Sequence, residues 1–129
     1  MENFLLIDTD IFIDIAREDH HAINRLKSEE SKSSLYISSI TQMELIVGCS
    51  NKKELQILND FLKRYDVINV SEEISERAIE LLSKYRLSHG LLIPDAIIAS
   101  TAIISGIPFL TKNQKDFRFI KGLKLLNYP

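Results

Sequence analysis

The segment that most constrains the fold of this chain is residues 4–10. Four consecutive apolar residues, Phe4 to Ile7, are followed directly by Asp8, Thr9 and Asp10. A short apolar run of this kind is typical of a strand that is buried on both faces in the middle of a parallel sheet. In an open α/β sheet, ligands bind outside the carboxyl ends of the strands. The sequence therefore predicts that Asp8 lies at the edge of the sheet where chemistry occurs.

Apolar periodicity predicts that strands and helices alternate along the chain. Strands are expected at residues 4–7, 35–38, 67–70 and 108–111, with a short fifth strand at 123–126. Helices are expected at residues 11–17, 21–31, 39–48, 53–65, 72–88 and 94–105, and a loop at 113–121. Such alternation implies a parallel sheet covered on both faces. The predicted fold class is α/β, a three-layer α/β/α sandwich around a mostly parallel sheet of four to five strands.

Length and composition fit one small domain. The chain has 129 residues, of which 45% are hydrophobic and 26% charged, as in an ordinary globular protein. No apolar run approaches the roughly 20 residues that span a bilayer, and the first residues lack the basic flank of a secretory signal. The lone Cys49 agrees weakly with a reducing compartment. We therefore expect a single domain over residues 1–129, located in the cytoplasm and not bound to a membrane.

Four acidic residues fall at equivalent places in the predicted fold. Asp8 follows the first strand, Glu44 lies in the helix after the second strand, and Asp95 lies in the first turn of an apolar helix. Asp116 follows the fourth strand. Right-handed crossovers bring the carboxyl ends of parallel strands to one edge of the sheet. We therefore expect these four carboxylates to lie close together.

Each of these acids also has a purely structural explanation. Thr41 and Glu44 match a capping box, in which the glutamate only returns a hydrogen bond to the helix backbone. Asp95 could complement the positive end of its helix, and Asp116 could be a turn residue. Taken one at a time, these explanations are the simpler ones. The joint placement of the acids, with Asp95 among apolar neighbours, favours a shared site instead.

A shared acidic site needs a counter-charge. The motifs around Asp8, Glu44 and Asp95 contain no lysine or arginine, and ligands that are all oxygen favour Mg²⁺ or Mn²⁺. A cation held in this way can activate water and stabilise the charge that grows on a phosphodiester oxygen. The sequence therefore predicts phosphodiester hydrolysis with Mg²⁺ or Mn²⁺ as the cofactor.

Overall charge does not favour a nucleic-acid partner. The formal net charge is −2, so any contact with phosphates must come from a local patch. Residues 112–124 form one candidate, with a single acid, Asp116, among five basic residues. On charge alone, a solvated face is the simpler explanation of this stretch. The basic residues are Lys112, Lys115, Arg118, Lys121 and Lys124.

Four motifs, in order along nearly the whole chain, resemble those of PIN-domain nucleases. The motifs are FLLIDTD at residues 4–10, SSITQMELIVG at 38–48, IPDAIIA at 93–99 and LTKNQKDF at 110–117. Within that family, the chain is most similar to the small stand-alone toxins of VapBC toxin–antitoxin systems. The resemblance implies an α/β/α sandwich and a Mg²⁺- or Mn²⁺-dependent endoribonuclease. It further implies a homodimer that a small antitoxin protein holds inactive.

The resemblance also implies roles for individual residues. By position, Asp8, Glu44 and Asp95 are the core metal-binding acids, and Asp116 is the fourth, commonly bound through water. Hydroxyl positions that support the acids fall on Thr9 and Thr111, and Asn113 is a further polar support. In such a nuclease the basic stretch beside Asp116 would bind RNA phosphates. The residues expected to do so are Lys112, Lys115 and Arg118.

One residue departs from the family pattern. Asp10 stands where such toxins commonly have asparagine. The additional carboxylate could join the metal site, or it could cap the first helix. Capping is the simpler explanation, because a short acid is favoured at a helix start in any case.

Two alternative functions remain open from the sequence. Asp8 and Asp10 also suggest a haloacid-dehalogenase-like phosphatase, in which Asp8 is the nucleophile. That similarity is weak, because Phe12 stands where a small hydroxyl or β-branched residue is expected and Glu44 has no role. The second alternative is a non-catalytic module that keeps the PIN fold and only binds RNA or a partner. The presence of all four acids argues against it.

Overall fold

The computed structural model describes residues 3–129 of the chain. Four strands, β1 to β4, form one sheet in the order β3-β2-β1-β4, and every neighbouring pair is parallel. This confirms the predicted parallel sheet with four strands. In place of a fifth strand, the segment near residue 125 makes one isolated bridge, from Leu125 to Phe109. The strands are β1 (Phe4–Ile7), β2 (Ser34–Ser38), β3 (Asp66–Ile68) and β4 (Phe109–Leu110).

Seven helices in the described residues connect and cover these strands. They are α1 (Thr9–Ala16), α2 (His20–Glu30), α3 (Ser39–Val47), α4 (Lys52–Leu62), α5 (Glu72–His89), α6 (Ile93–Ser105) and α7 (Gln114–Phe117). Within residues 3–129, none of them has the length and apolar character needed to cross a membrane.

Several element bounds differ from the sequence prediction, among them the start of α1 and those of the segment after β4. Helix α1 begins at residue 9 rather than 11, because the Asp8 side chain accepts a hydrogen bond from the Thr9 amide and caps the helix. Helix α3 is capped by Ser38, whose hydroxyl accepts from the amide of Ile40, so Thr41 is not the cap that a capping box with Glu44 requires. The loop expected at residues 113–121 contains the short helix α7. Local capping bonds set the starts of α1 and α3, and apolar periodicity does not report them.

The sheet separates two hydrophobic cores. On β1, Leu6 faces the core formed with α5, α6 and α7, whereas Leu5 and Ile7 face the core formed with α1, α2 and α4. Side chains on a strand alternate between its two faces, so one buried strand supplies both cores. This arrangement confirms the three-layer α/β/α sandwich and makes β1 its central element.

Helix α6 is the most buried helix. Its apolar residues, together with Ser100 and Thr101, are buried nearly all round the helix, as its composition predicts. Gly106 ends it in the left-handed conformation at φ 68°, which glycine adopts without steric cost. Because the helix is fixed on all sides, the position of Asp95 in its first turn is fixed as well.

We expect Phe109→Ala to lower the free energy of unfolding by about 3–5 kcal/mol, the usual loss for a fully buried phenylalanine. Phe109 is 0% exposed and packs edge to face on Phe117 at 4.9 Å. Phe4→Ala is the matched control, because Phe4 is 36% exposed and should cost much less. Urea unfolding monitored by circular dichroism measures both. Equal losses in the two variants would contradict this description of the core.

Candidate active site

Asp8 lies at the carboxyl end of β1, as the sequence predicts. Its backbone amide donates to the carbonyl of Leu110 on β4 at 2.9 Å, which fixes the residue between two strands. Its Oδ1 accepts from the Thr9 amide at 2.8 Å, and its Oδ2 accepts from the Thr111 hydroxyl at 2.7 Å. The Asp8 side chain is therefore buried and held from both sides.

Burial makes the ionised form of Asp8 unfavourable. The pKa of this carboxyl is raised from 3.8 to about 8, first by burial and then by the negative charge of Asp10. The hydrogen bonds from Thr111 and Thr9 lower the pKa in part, and the charge of Asp95 raises it further. Burial and neighbouring acids thus outweigh the donors that the protein supplies.

Glu44 is exposed on α3, and its carboxylate does not cap the helix. Thr41 lies inside α3 and is buried, so the capping-box explanation is wrong. The Thr9 hydroxyl donates to Glu44 Oε1 at 2.7 Å and lies 3.0 Å from the Thr41 hydroxyl. A hydroxyl has only one hydrogen, so when Thr9 donates to Glu44 it accepts from Thr41. Thr9 therefore links Glu44 to the start of α1, directly beside Asp8.

Asp95 lies half-buried in the first turn of α6. The pKa of its carboxyl is raised from 3.8 to about 6, first by burial and then by the charges of Asp116, Glu44 and Asp10. Asp116 is exposed on α7. Acids from three other segments, α7, α3 and α1, are therefore close enough to raise the pKa of Asp95. The structure brings the predicted residues to one edge of the sheet.

Asp10 does not cap α1, so the favoured explanation of this residue is wrong. Asp8 caps the helix, and Asp10 reaches across to the turn after β4. Its Oδ2 lies 3.1 Å from each of three donors, the Thr111 hydroxyl and the amides of Lys112 and Asn113. Burial raises the pKa of Asp10. Asn113 supports the site through its backbone N–H rather than through its side-chain amide.

The chemistry of this acidic edge fits a hard cation. None of the acids forms an ion pair among residues 3–129, and Oδ1 of Asp10 is buried without a hydrogen-bond partner there. The single hydrogen of the Thr111 hydroxyl must serve both Asp8 and Asp10. Oxygen ligands with excess negative charge are those that Mg²⁺ and Mn²⁺ prefer. Asp8, Asp10, Glu44, Asp95 and Asp116 make up this edge.

The positions of the acidic side chains are less favourable for binding a metal ion than their chemistry is. Within the part of the chain that the structure describes, no three acidic, histidine or cysteine side chains form a ready-made metal cluster. The acids therefore act on one another through charge without converging on one point. Threonine hydroxyls hold Asp8, Asp10 and Glu44 individually.

The three basic residues expected to bind RNA differ in their surroundings. The Lys112 ammonium lies 3.0 Å from Oδ2 of Asp14, so it is occupied within the protein. Lys115 and Arg118 are exposed and form no ion pair among the described residues. Only the latter two remain available to a polyanion.

Sequence reasoning missed Asp14 and gave Thr41 the wrong role. Asp14 is buried and pairs with Lys112, although a buried acid is uncommon. The spacing of Asp10 and Asp14, one helical turn apart, was the available signal that both acids face the same neighbour.

Comparison with known proteins gives the family. The sequence profile of the family described as PIN domain matches residues 5–123. Ribonuclease VapC1 from Methanocaldococcus jannaschii is 35% identical, over 96% of this chain and 88% of the relative. Ribonuclease VapC1 from Rickettsia felis is 33% identical, over 95% and 94%. The chain therefore belongs to the PIN-domain family, as its four motifs predict, and this excludes the haloacid-dehalogenase alternative.

Solved structures agree with this assignment. VapBC2 from Rickettsia felis, bound to a DNA fragment from its promoter, matches with a TM-score of 0.81 at 29% identity, over 98% of this chain and 99% of that chain. A toxin–antitoxin complex from Klebsiella pneumoniae matches with a TM-score of 0.80 at 33% identity, over 95% and 96%. The PIN-like fold predicted from the sequence is confirmed.

The raised pKa of Asp8 predicts how stability depends on pH in the metal-free protein. The unfolded chain releases this proton near pH 4, whereas the folded chain keeps it until about pH 8. Stability should therefore fall as pH rises between these values. We expect the melting temperature in EDTA to drop by several degrees between pH 5 and pH 8.5, and to drop much less in Asp8→Asn. The same slope in both proteins would contradict the assignment.

Proposed function

We propose that this chain is an endoribonuclease that depends on Mg²⁺ or Mn²⁺. The observation that carries the proposal is the gathering of acids at one sheet edge, where Thr9 joins Glu44 to the start of α1 beside Asp8, and the charges of Asp116, Glu44 and Asp10 act on Asp95. The choice of RNA as the substrate rests on relatives, because two proteins 35% and 33% identical are named ribonucleases. Hydrolysis of RNA within a chain is the activity that both observations support.

The proposed roles follow from these contacts. Asp8, Glu44 and Asp95, with Asp116, would hold the cation. When bound, Mg²⁺ or Mn²⁺ supplies positive charge that offsets the acids and makes a nearby water more acidic. Thr9 and Thr111 keep the carboxylates of Glu44 and Asp8 in place, and Asn113 helps to hold Asp10.

RNA would approach along the exposed face of α7. Lys115 and Arg118 flank Asp116 there, and neither forms an ion pair with an acid among the described residues. Their charges would bind phosphates on either side of the cleaved bond, which makes binding depend on salt. We expect the products to carry a 5′-phosphate and a 3′-hydroxyl. The proposed place of action is the cytoplasm, where cellular RNA is translated.

We expect Asp95→Asn to reduce cleavage of single-stranded RNA by at least about 100-fold while the protein remains folded. The amide removes one negative ligand and relieves repulsion among the acids, so the metal-free fold should be at least as stable. Labelled RNA with Mn²⁺ measures cleavage, and thermal melting measures the fold. Asp60→Asn is the matched control, since Asp60 lies on the surface of α4 beside Lys63. Wild-type cleavage by Asp95→Asn would refute the site, and no cleavage by the wild type would favour a non-catalytic module.

We further propose that a small antitoxin protein binds the chain in a groove between α1, α3 and α4. The solved relatives are toxin–antitoxin complexes, and this groove has a volume of about 610 Å³. Its lining is mostly apolar, and Glu44 lies in its wall. A partner segment seated there would cover Glu44, one acid of the edge. The apolar lining residues include Phe12, Ile15, Leu45, Ile57, Leu58 and Phe61.

The surface around this groove supports an apolar partner. Met43, Val47 and Ile57 are exposed on α3 and α4, and exposed apolar patches of this kind mark interaction sites. The predicted homodimer remains a proposal as well. It is supported by a separate apolar surface at the junction of α5 and α6, where Leu87, Leu92 and Ile93 are exposed beside Asp95.

We expect Ile57→Asp to weaken antitoxin binding by at least about 10-fold, because a charge in an apolar interface must be desolvated. Ile79→Asp is the matched control, since Ile57 and Ile79 are 60% and 62% exposed and Ile79 lies on α5, away from the groove. Calorimetric titration with the protein encoded beside the chain's own reading frame measures both affinities. Equal affinities would place the antitoxin on another surface.

A further inference from the structure

Two acids on α1 contact the turn that follows β4. Asp10 and Asp14 lie one helical turn apart and therefore face the same side of the helix. Asp10 accepts hydrogen bonds from the amides of Lys112 and Asn113, both at 3.1 Å. The side chain of Lys112 returns to α1, where its ammonium lies 3.0 Å from Oδ2 of Asp14 and donates to Oδ1 at 3.3 Å. The turn and the helix are thus joined through both backbone and side chain.

The pair of Lys112 and Asp14 is asymmetric in burial. The Asp14 side chain is 8% exposed, whereas that of Lys112 is 50% exposed. An ion pair between two exposed side chains contributes little to stability. Here one partner is a buried carboxylate, so loss of the ammonium would leave that charge without a partner and force the local structure to adjust.

The same turn holds two parts of the acidic edge. Thr111, which begins the turn, donates its hydroxyl to Asp8. Asn113, which ends the turn, is the residue before α7, the helix that carries Asp116. Any shift of residues 111–113 relative to α1 would therefore move Thr111 away from Asp8 and move Asp116 relative to the other acids.

We propose that Asp10, Asp14 and Lys112 form a clamp between α1 and the turn at residues 111–113, which positions Thr111 and Asp116 for cation binding. Lys112 is then a positioning residue rather than a contact for RNA phosphates. The inference rests on the proposed function, because it assigns a role within the same site. It replaces the expectation that Lys112, as part of a basic stretch, binds RNA phosphates.

The substitution Lys112→Met separates an electrostatic role of this lysine from a positioning role, because the two roles predict opposite changes in Mn²⁺ affinity. Lys112→Met removes a positive charge near the acids, so electrostatics alone would raise the affinity for Mn²⁺. Loss of the clamp would lower that affinity, by about 10-fold or more, the usual effect of removing a group that orients metal ligands. Asp14→Asn should lower the affinity by a similar factor. The double variant should be no weaker than either single variant, since both break one contact.

The experiment is a double-mutant cycle on Mn²⁺ affinity, measured by calorimetry with Lys112→Met, Asp14→Asn and the double variant. Lys112→Arg should restore wild-type affinity, because it keeps the ion pair. Lys63→Met is the matched control. Lys63 also pairs with an aspartate, Asp60, but both of these side chains are exposed on the surface. Unchanged or higher Mn²⁺ affinity in Lys112→Met would overturn the clamp.

Two further measurements separate positioning from RNA binding. Lys115→Met should raise KM for RNA most at low salt, with a difference from the wild type that shrinks as salt is added, and should leave Mn²⁺ affinity unchanged. Lys112→Met should lower kcat and leave KM unchanged. If Lys112→Met raises KM as Lys115→Met does, Lys112 binds RNA and the clamp is refuted.

Hydrogen exchange of the Lys112 and Asn113 amides tests the clamp without any catalytic readout. Exchange of both amides should be faster in Lys112→Met than in the wild type, because the turn that carries them loses its ion pair with α1, the helix that carries their acceptor Asp10. Unchanged exchange would overturn the clamp. If the wild type neither cuts RNA nor binds Mn²⁺, the proposed function fails. Hydrogen exchange of these two amides then still tests whether the clamp exists.

Discussion

The structure depends on a buried carboxylate at the end of its central strand. Asp8 follows β1, caps α1 and accepts a hydrogen bond from the Thr111 hydroxyl, so one side chain joins the end of β1 to α1 and to the turn after β4. That position is unfavourable for a charge, as its raised pKa reports. A fold stabilised only by its cores would place an apolar residue or an asparagine there. The carboxylate is retained at a cost to stability, which is typical of functional sites.

The neighbouring acids add to this cost. Asp10, Glu44, Asp95 and Asp116 come from different segments, yet their charges act on one another. The protein supplies hydroxyl and amide donors to Asp10 and Glu44, whereas the ammonium of Lys112 pairs with Asp14 instead. Negative charge at this edge therefore remains uncompensated within the described chain. A hard divalent cation would offset it, and relatives named ribonucleases connect such a site to RNA hydrolysis.

Strong local patterns predicted most of the fold and the set of acids. The apolar run before Asp8 and the nearly all-apolar helix α6 have one structural solution each, so their positions followed from the sequence. The sequence could not predict where Asp10 and Asp14 reach, because both contacts join α1 to residues about 100 positions later. The basic stretch and the family resemblance together likewise assigned Lys112 to RNA, since pairing with a distant buried acid leaves no local signal. The catalytic roles of the four acids stay predictions.

The central claim is that a divalent cation relieves the acidic edge, and the ionisation of Asp8 tests it most directly. Carbon-13 NMR of the side-chain carboxyl measures the pKa of Asp8 with and without Mg²⁺. The account predicts a pKa near 8 in the metal-free protein and a fall by several units when Mg²⁺ is added, because a bound cation favours the ionised form. An Asp8 titration that Mg²⁺ leaves unchanged would contradict the account.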